Sequence, residues 1–326
     1  LCLGTMDTWL VFQLTNGQSF KTEPSNACRT QLMNIKTGNW DQELVEIFGI
    51  DINDLPDIVD SNSNFGETDL FGLLPHKIPI LSVLGDSQAA LFAHGCFETG
   101  DFKVTFGTGS SVMLNIGKKL PNNFNNQLNT SLAWSINGQK SYVLEGNINY
   151  AGACVTWLKD KLHLIQDPAE TANLALTANP NDHTLLIPAF AGLGAPYWLP
   201  DMKAAFVNMT ATTGKKELVR ATLNSLVYQI NDILHAFHQL SPKVNDEIHT
   251  DGGMIKNKYL MQYLSNITQK NVKIANISEL SALGSAMNAM HHFDGMQYSK
   301  TYTPRINKNT AKDYCNEWTT WIQKLA

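Results

Sequence analysis

The stretch from Glu217 to Leu240 does most to limit what this chain can become. Val219, Leu223, Leu226, Ile230, Ile233, Leu234 and Phe237 fall on one helical stripe, and Pro242 stands just past its end. A helix with one apolar face needs a core to lie on. The segments around it supply strands. Glu247 to Met254 reads as a strand running into a double-glycine turn, and Asn257 caps a helix carrying Leu260, Met261, Leu264 and Ile267. Ile78 to Leu84 reads as a buried strand of the parallel-sheet kind, leading through Gly85 and Asp86 into an alanine-rich helix. A last strand, Val272 to Ile274, precedes a small-residue helix expected to be capped by Ser278. Strands alternating with helices point to an α/β fold.

Two hairpins are legible between these parts. Asn137-Gly138 separates two apolar-alternating runs, a strong short-range hairpin signal. Val104 to Ile116 encloses Gly107-Thr108-Gly109-Ser110-Ser111, a small, hydroxyl-rich tip. Glycines let backbone approach a ligand closely, and successive N–H groups with hydroxyls suit phosphate oxygens, although a glycine-rich surface turn would look the same. Gly146 to Leu158 reads as a glycine-rich turn passing into a helix.

Asp86 is the carboxylate to watch. At a strand–helix junction it would sit on the carboxyl edge of a sheet, where open α/β folds bind substrates. A helix start suits an ionised carboxylate acting as general base, and it equally suits a plain N-cap. Asp251-Gly252-Gly253 could receive part of a nucleotide or be an ordinary tight βα turn.

Bulk properties exclude other classes. The 326 residues allow two domains, and 43% hydrophobic with 16% charged residues describes an ordinary globular protein. A net charge of -5 without a basic block gives no footprint for nucleic acid or an anionic membrane. The cysteines at 2, 28, 96, 154 and 315 never form a C-x-x-C pair, which favours free thiols in a reducing cytoplasm over disulfides or zinc. The histidines form no ligand set, so no metal site is expected from side chains.

Several motifs in one order carry a resemblance. Gly4-Thr5-Met6-Asp7-Thr8-Trp9-Leu10, Asn26-Ala27-Cys28-Arg29-Thr30, Gly85-Asp86-Ser87-Gln88, Phe106-Gly107-Thr108-Gly109, Leu144-Glu145-Gly146, Pro188 to Trp198 and Asp251-Gly252-Gly253 resemble the FGGY family of carbohydrate kinases, glycerol kinases and xylulokinases among them. The resemblance implies a ribonuclease H-like, actin/hexokinase-type fold with ATP and a sugar or polyol in the cleft between two domains. It makes Asp86 the catalytic base, with Ser87 and Ser111 beside the acceptor. It places Gly107, Thr108 and Gly109 on the phosphates, Gly152 and Thr156 on the nucleotide, and Gly253, Met254 and Asn257 at the adenosine. Mg2+ would be carried by the phosphates, and relatives form homodimers or homotetramers.

Departures from the family pattern shape the remaining expectations. Ser87 stands where glycerol kinases usually carry Gln, and Ser111 where they place a Phe. Two smaller, hydroxyl-bearing side chains imply a pentulose or similar sugar, with glycerol the alternative. Asn208 and Asn224 replace residues of the family's second signature, which keeps a non-catalytic nucleotide- or sugar-binding relative in view. The resemblance also implies that residues 1–94 are the last part of domain I and 95–326 all of domain II. The family's Asp-x-Gly-Thr phosphate loop would then lie upstream of residue 1, and the chain alone would be inactive.

Overall fold

The structure, a computed structural model, describes residues 1–121, 126–293 and 295–326. Its centre is a seven-stranded sheet. The glycine-tipped hairpin supplies β1 (Phe102–Phe106) and β2 (Ser110–Gly117). The next hairpin supplies β3 (Asn129–Ile136) and β4 (Gln139–Ile148). Asn137 and Gly138 between them have φ of 51° and 73°, the left-handed pair that a two-residue hairpin turn demands. β5 (Glu247–Gly252), β6 (Asn271–Ala275) and β7 (Tyr298–Tyr302) complete the order β7-β6-β5-β1-β2-β4-β3. β5 runs parallel to both β1 and β6, and the other neighbours are antiparallel.

The sheet is sandwiched because apolar side chains stand on both of its faces. One face presents Phe102, Val104, Phe106, Val112, Leu114 and Leu144 to the long helix, α4 below, which answers with Val219, Leu223, Val227, Ile230 and Phe237. Each such fully buried side chain contributes about 1.5–3 kcal/mol of transfer free energy. The other face carries Met113, Trp134 and Val143 against Leu91, Phe92 and Met287. In chain order the longer helices are α1 (Met6–Leu14), α2 (Asp86–Ala93), α3 (Gly152–Asp160), α4 (Lys215–Leu240), α5 (Lys258–Thr268), α6 (Leu280–Met290) and α7 (Lys308–Leu325). Trp318 of α7 is fully buried and donates its indole N–H to Asp232 of α4 at 2.7 Å. Burial raises the Asp232 carboxyl to about 7 against the hydrogen bonds from Trp318 and Tyr197.

Three readings of the sequence need correction, and one strand was missed. Ile78 to Leu84 is no buried parallel strand: only Ile78–Pro79 is extended, paired antiparallel with Glu67–Thr68, and Ile78 is half exposed. Its backbone turns to the loop before it instead, through Phe65 N–H to Ile80 O and Val83 N–H to Ser61 O. Gly146 is not in a turn but inside β4, where a side chain would meet Ile233 of the long helix at 2.7 Å. Ser278 does not cap α6; Glu279 holds the N-cap position and no side chain closes that end. β7 went unread because Tyr298–Tyr302 is mostly exposed and polar on an edge.

Small residues set the spacing of α2 and α6. A Cβ on Gly284 of α6 would lie 1.8 Å from the Ala89 carbonyl oxygen of α2, so the two backbones are in contact there. Gly284→Ala is expected to force them apart and cost about 1–3 kcal/mol or more, seen as a lower urea midpoint at unchanged m-value.

Candidate active site

The parallel pairing of β5 with β1 places Gly252 opposite Phe106 and brings both strands to one edge of the sheet. The antiparallel pairing of β4 with β2 sets Ile148 opposite Ser110, so the turn after β4 emerges at the same edge. Three turns therefore meet. Ala151 and Ala153 N–H groups donate to the Thr108 carbonyl at 3.0 Å, and Gly152 N–H donates to Gly107 O at 3.0 Å. Glycines are required by this crowding: a Cβ on Gly152 would sit 2.7 Å from Gly107 O, and one on Gly252 (φ 92°) 2.2 Å from Phe106 O. Gly107, Thr108 and Gly253 are exposed on this rim.

Asp86 is the first residue of α2 and is exposed; it is not the N-cap, which is Gly85. Its backbone is held from two sides. Ser281 of α6 donates to Asp86 O at 2.8 Å, and Gly85 N–H donates to Ser25 Oγ at 2.8 Å. Ser25 in turn donates to Glu23, a fully buried carboxylate that also accepts from Ser61 at 2.7 Å and from the Asn26 N–H at 2.8 Å. Burial raises the Glu23 carboxyl, and those hydrogen bonds oppose the shift.

Asp86 and Ser87 line a cavity of about 180 Å³ with Lys103, Thr105, Asp251, Gly252 and the start of α6. Sequence reading missed the lysine. Lys103 is fully buried, donates to Thr105 Oγ1 at 2.5 Å, and its charge helps hold Asp251 below the usual carboxylate range. Burial alone would raise Asp251; the His94 Nε2 contact at 2.9 Å and the lysine outweigh it. The signal was there: a lysine amid Phe102, Val104 and Phe106, on a strand buried on both faces, is anomalous. His94 is held neutral by burial, against the pull of Asp251, and its Nδ1 is buried without a hydrogen-bond partner.

Ser111 points into a second polar cluster. It donates to Glu145 Oε1 at 3.2 Å, while Arg29 Nη1 meets Glu145 Oε2 at 2.7 Å. Burial works against the Arg29 charge, but Glu145, helped by Cys28 and Asp86, outweighs it and holds the guanidinium above its ordinary pKa. Sequence reading quoted Arg29 and Glu145 as motif residues without giving them a role.

The remaining expected contacts are mixed. Met254 packs beside Ala151 and Cys154 under the glycine turns. Asn257 has both ends of its amide engaged, Oδ1 capping α5 through Leu260 N–H and Nδ2 on Thr171 Oγ1, each at 3.0 Å. Thr156 is exposed and donates back to Gly152 O at 3.2 Å. Asn224 accepts from Tyr259 OH at 2.8 Å, in a separate tyrosine-lined cavity. Asn208 holds φ 58°, a conformation asparagine tolerates better than most residues. Among the described residues no group of three His, Cys, Asp or Glu is placed to hold a metal ion.

The chain is similar to known proteins. Residues 2–93 match the N-terminal domain, and residues 102–293 the C-terminal domain, of the FGGY family of carbohydrate kinases. The chain belongs to that family. Glycerol kinase 1 of Thermotoga maritima is 45% identical over all of this chain and 68% of its own length. Glycerol kinase of Bdellovibrio bacteriovorus is 44% identical over 88% of this chain and 58% of its own. The chain thus spans between about half and two thirds of the length of these relatives. Plasmodium falciparum glycerol kinase with ADP superposes with a TM-score of 0.91 at 31% identity, over 99% of this chain and 67% of that one. A Lactobacillus acidophilus xylulose kinase shares the fold, with a TM-score of 0.84 at 20% identity. The expected sugar-kinase fold is therefore present. Both domain matches occur within the 326 residues.

The His94–Asp251 pair continues to His249, whose Nδ1 lies 2.6 Å from Tyr298 OH. Burial and the neighbouring His94 push His249 down to about 3. In the unfolded chain the His249 imidazole takes up a proton as pH falls through about 6.5, while in the folded state it stays neutral down to about 3. The unfolded state then binds more protons, so stability is expected to fall between pH 6.5 and 3, on the order of 1 kcal/mol per unit. Urea midpoints across that window check it, and His249→Gln flattens the slope.

Proposed function

We propose that this chain carries the nucleotide-binding edge and the catalytic base of a kinase that phosphorylates a polyol or sugar hydroxyl. The observation behind it is the meeting of three glycine turns at one sheet edge, where Asp86 shares a cavity with Asp251 and Gly252, in a chain whose family phosphorylates carbohydrates. ATP is the donor. Thr108 and Gly109 offer backbone N–H groups to its phosphates beside Gly107, whose own N–H donates to Gly109 O at 2.9 Å and closes the turn; Gly152 and Thr156 border the nucleotide, and Gly253, Met254 and Asn257 border the adenosine. Mg2+ would arrive with the phosphates.

Asp86 accepts the acceptor's hydroxyl proton. As that oxygen bonds to the γ-phosphorus, the bond to the β,γ-bridging oxygen breaks and its electron pair leaves on ADP. Positioning and charge neutralisation carry most of such a reaction, so backbone turns and one carboxylate do much of what is needed.

Glycerol is the first candidate acceptor, because the relatives at 44–45% identity are glycerol kinases and Ser111 gives its hydroxyl to Glu145. A pentulose is the second reading, supported by the small size of Ser87 and Ser111. The domain boundary near residue 95, assembly as a homodimer or homotetramer, and a cytoplasmic setting suited to five free thiols belong to the same reading. No helix among the described residues is long and apolar enough to cross a membrane.

Calorimetric titration with ADP tests the nucleotide half, and micromolar to millimolar binding is expected. Polyol-dependent ADP release tests the chemistry, assayed with glycerol, xylulose, ribulose and gluconate, with and without a polypeptide supplying an Asp-x-Gly-Thr loop. Asp86→Asn is expected to lower that turnover at least 100-fold with ADP affinity unchanged. Absence of nucleotide binding by a folded chain overturns the proposal.

A further inference from the structure

We infer that Arg29 is a specificity-determining residue for the acceptor, its guanidinium donating to hydroxyls next to the one Asp86 deprotonates. The inference rests on the kinase reading above and deepens it. Three observations carry it. First, Arg29 is fixed. Its Nη1 is held 2.7 Å from Glu145 Oε2, and Glu145, with a side chain only 5% exposed, is tethered by Ser111 at its other oxygen. Second, Arg29 is open: its side chain is 40% exposed, so the carboxylate is sequestered while donors of the guanidinium fork still face solvent. Third, it is beside the base. Arg29 follows the short Pro24–Ala27 helix, and Ser25 of that helix accepts from Gly85 N–H, the residue before Asp86. The charge of Asp86 is felt at Arg29.

Polyols and sugars present neighbouring hydroxyls, each both donor and acceptor. A planar guanidinium donates to two of them at once, and Ser111 beside it, its proton given to Glu145, accepts from a third. Glu145 keeps the fork from swinging, so rotamer freedom of a long side chain need not be lost on binding. A lysine in its place would keep the charge and lose the fork.

Three arginines occur in the chain, Arg29, Arg220 and Arg305, which makes the wild-type protein its own probe. Modification by phenylglyoxal, mapped by mass spectrometry, is expected at Arg29 and to slow at least fivefold with saturating glycerol or xylulose, but not with ADP. Protection by ADP alone would instead make Arg29 a phosphate contact and overturn the inference. In polyol-dependent ADP release, Arg29→Met and Arg29→Lys are expected to raise the acceptor KM at least tenfold while the ATP KM stays within twofold. A merely structural arginine would move both constants together, or neither, and either result overturns the inference with the kinase reading intact. Failure of the unmodified chain to bind ADP and acceptor alike would sink the kinase reading, and this inference with it.

Discussion

The parallel register of β1 and β5 is the constraint on which the rest depends. Gly252 lies so close to the Phe106 backbone that only glycine fits, and this contact fixes where the turns after both strands emerge. The turn after β4 joins them by donating to Gly107 and Thr108 carbonyls. Backbone amides are thereby used partly to hold the turns together and partly left at an exposed rim. Such a surface is preorganised, since its geometry comes from strand pairing inside the fold and not from flexible side chains.

Behind that rim lies a polar interior that an apolar core would not tolerate unless its members satisfied one another. Lys103, Thr105, Asp251 and His94 form a connected group between β1, β5 and α2. One cation and one neutral imidazole serve one carboxylate, which is why Asp251 stays ionised in spite of its burial. The group ties α2 to β5, and with Ser281 on the Asp86 carbonyl it locates the start of the helix bearing the base. Arg29 and Glu145 make a second such link, between the segment before α2 and β4.

The hydrophobic arithmetic of individual elements was legible throughout. The Glu217–Leu240 stripe, the Asn137-Gly138 hairpin and the Asn257 cap each follow from local rules, and each is found in place. Errors came where a local rule had a tertiary competitor. Gly146 reads as a turn residue, yet it is a strand residue made small by Ile233 of a helix roughly 90 positions away. Ile78 to Leu84 has strand composition, yet only Ile78–Pro79 pairs, in a two-stranded ribbon with Glu67–Thr68 away from the central sheet, and amides beyond it bond to the preceding loop.

By itself the sequence determined most of the longer elements, the family to which the motifs belong, and the residue types available at each turn. It could do so because glycine spacing, caps and periodicity act over a few residues. Only the tertiary structure decided that Ser111 faces Glu145, that Lys103 is enclosed beneath Asp86, and that Asn257 is already occupied by Thr171. Those facts depend on pairs separated by some 15 to 150 positions, and no local pattern encodes which distant carboxylate a hydroxyl will meet. The glycine turns and the aspartate were thus visible in the chain; the ion pair beside them emerged only when the strands were brought side by side.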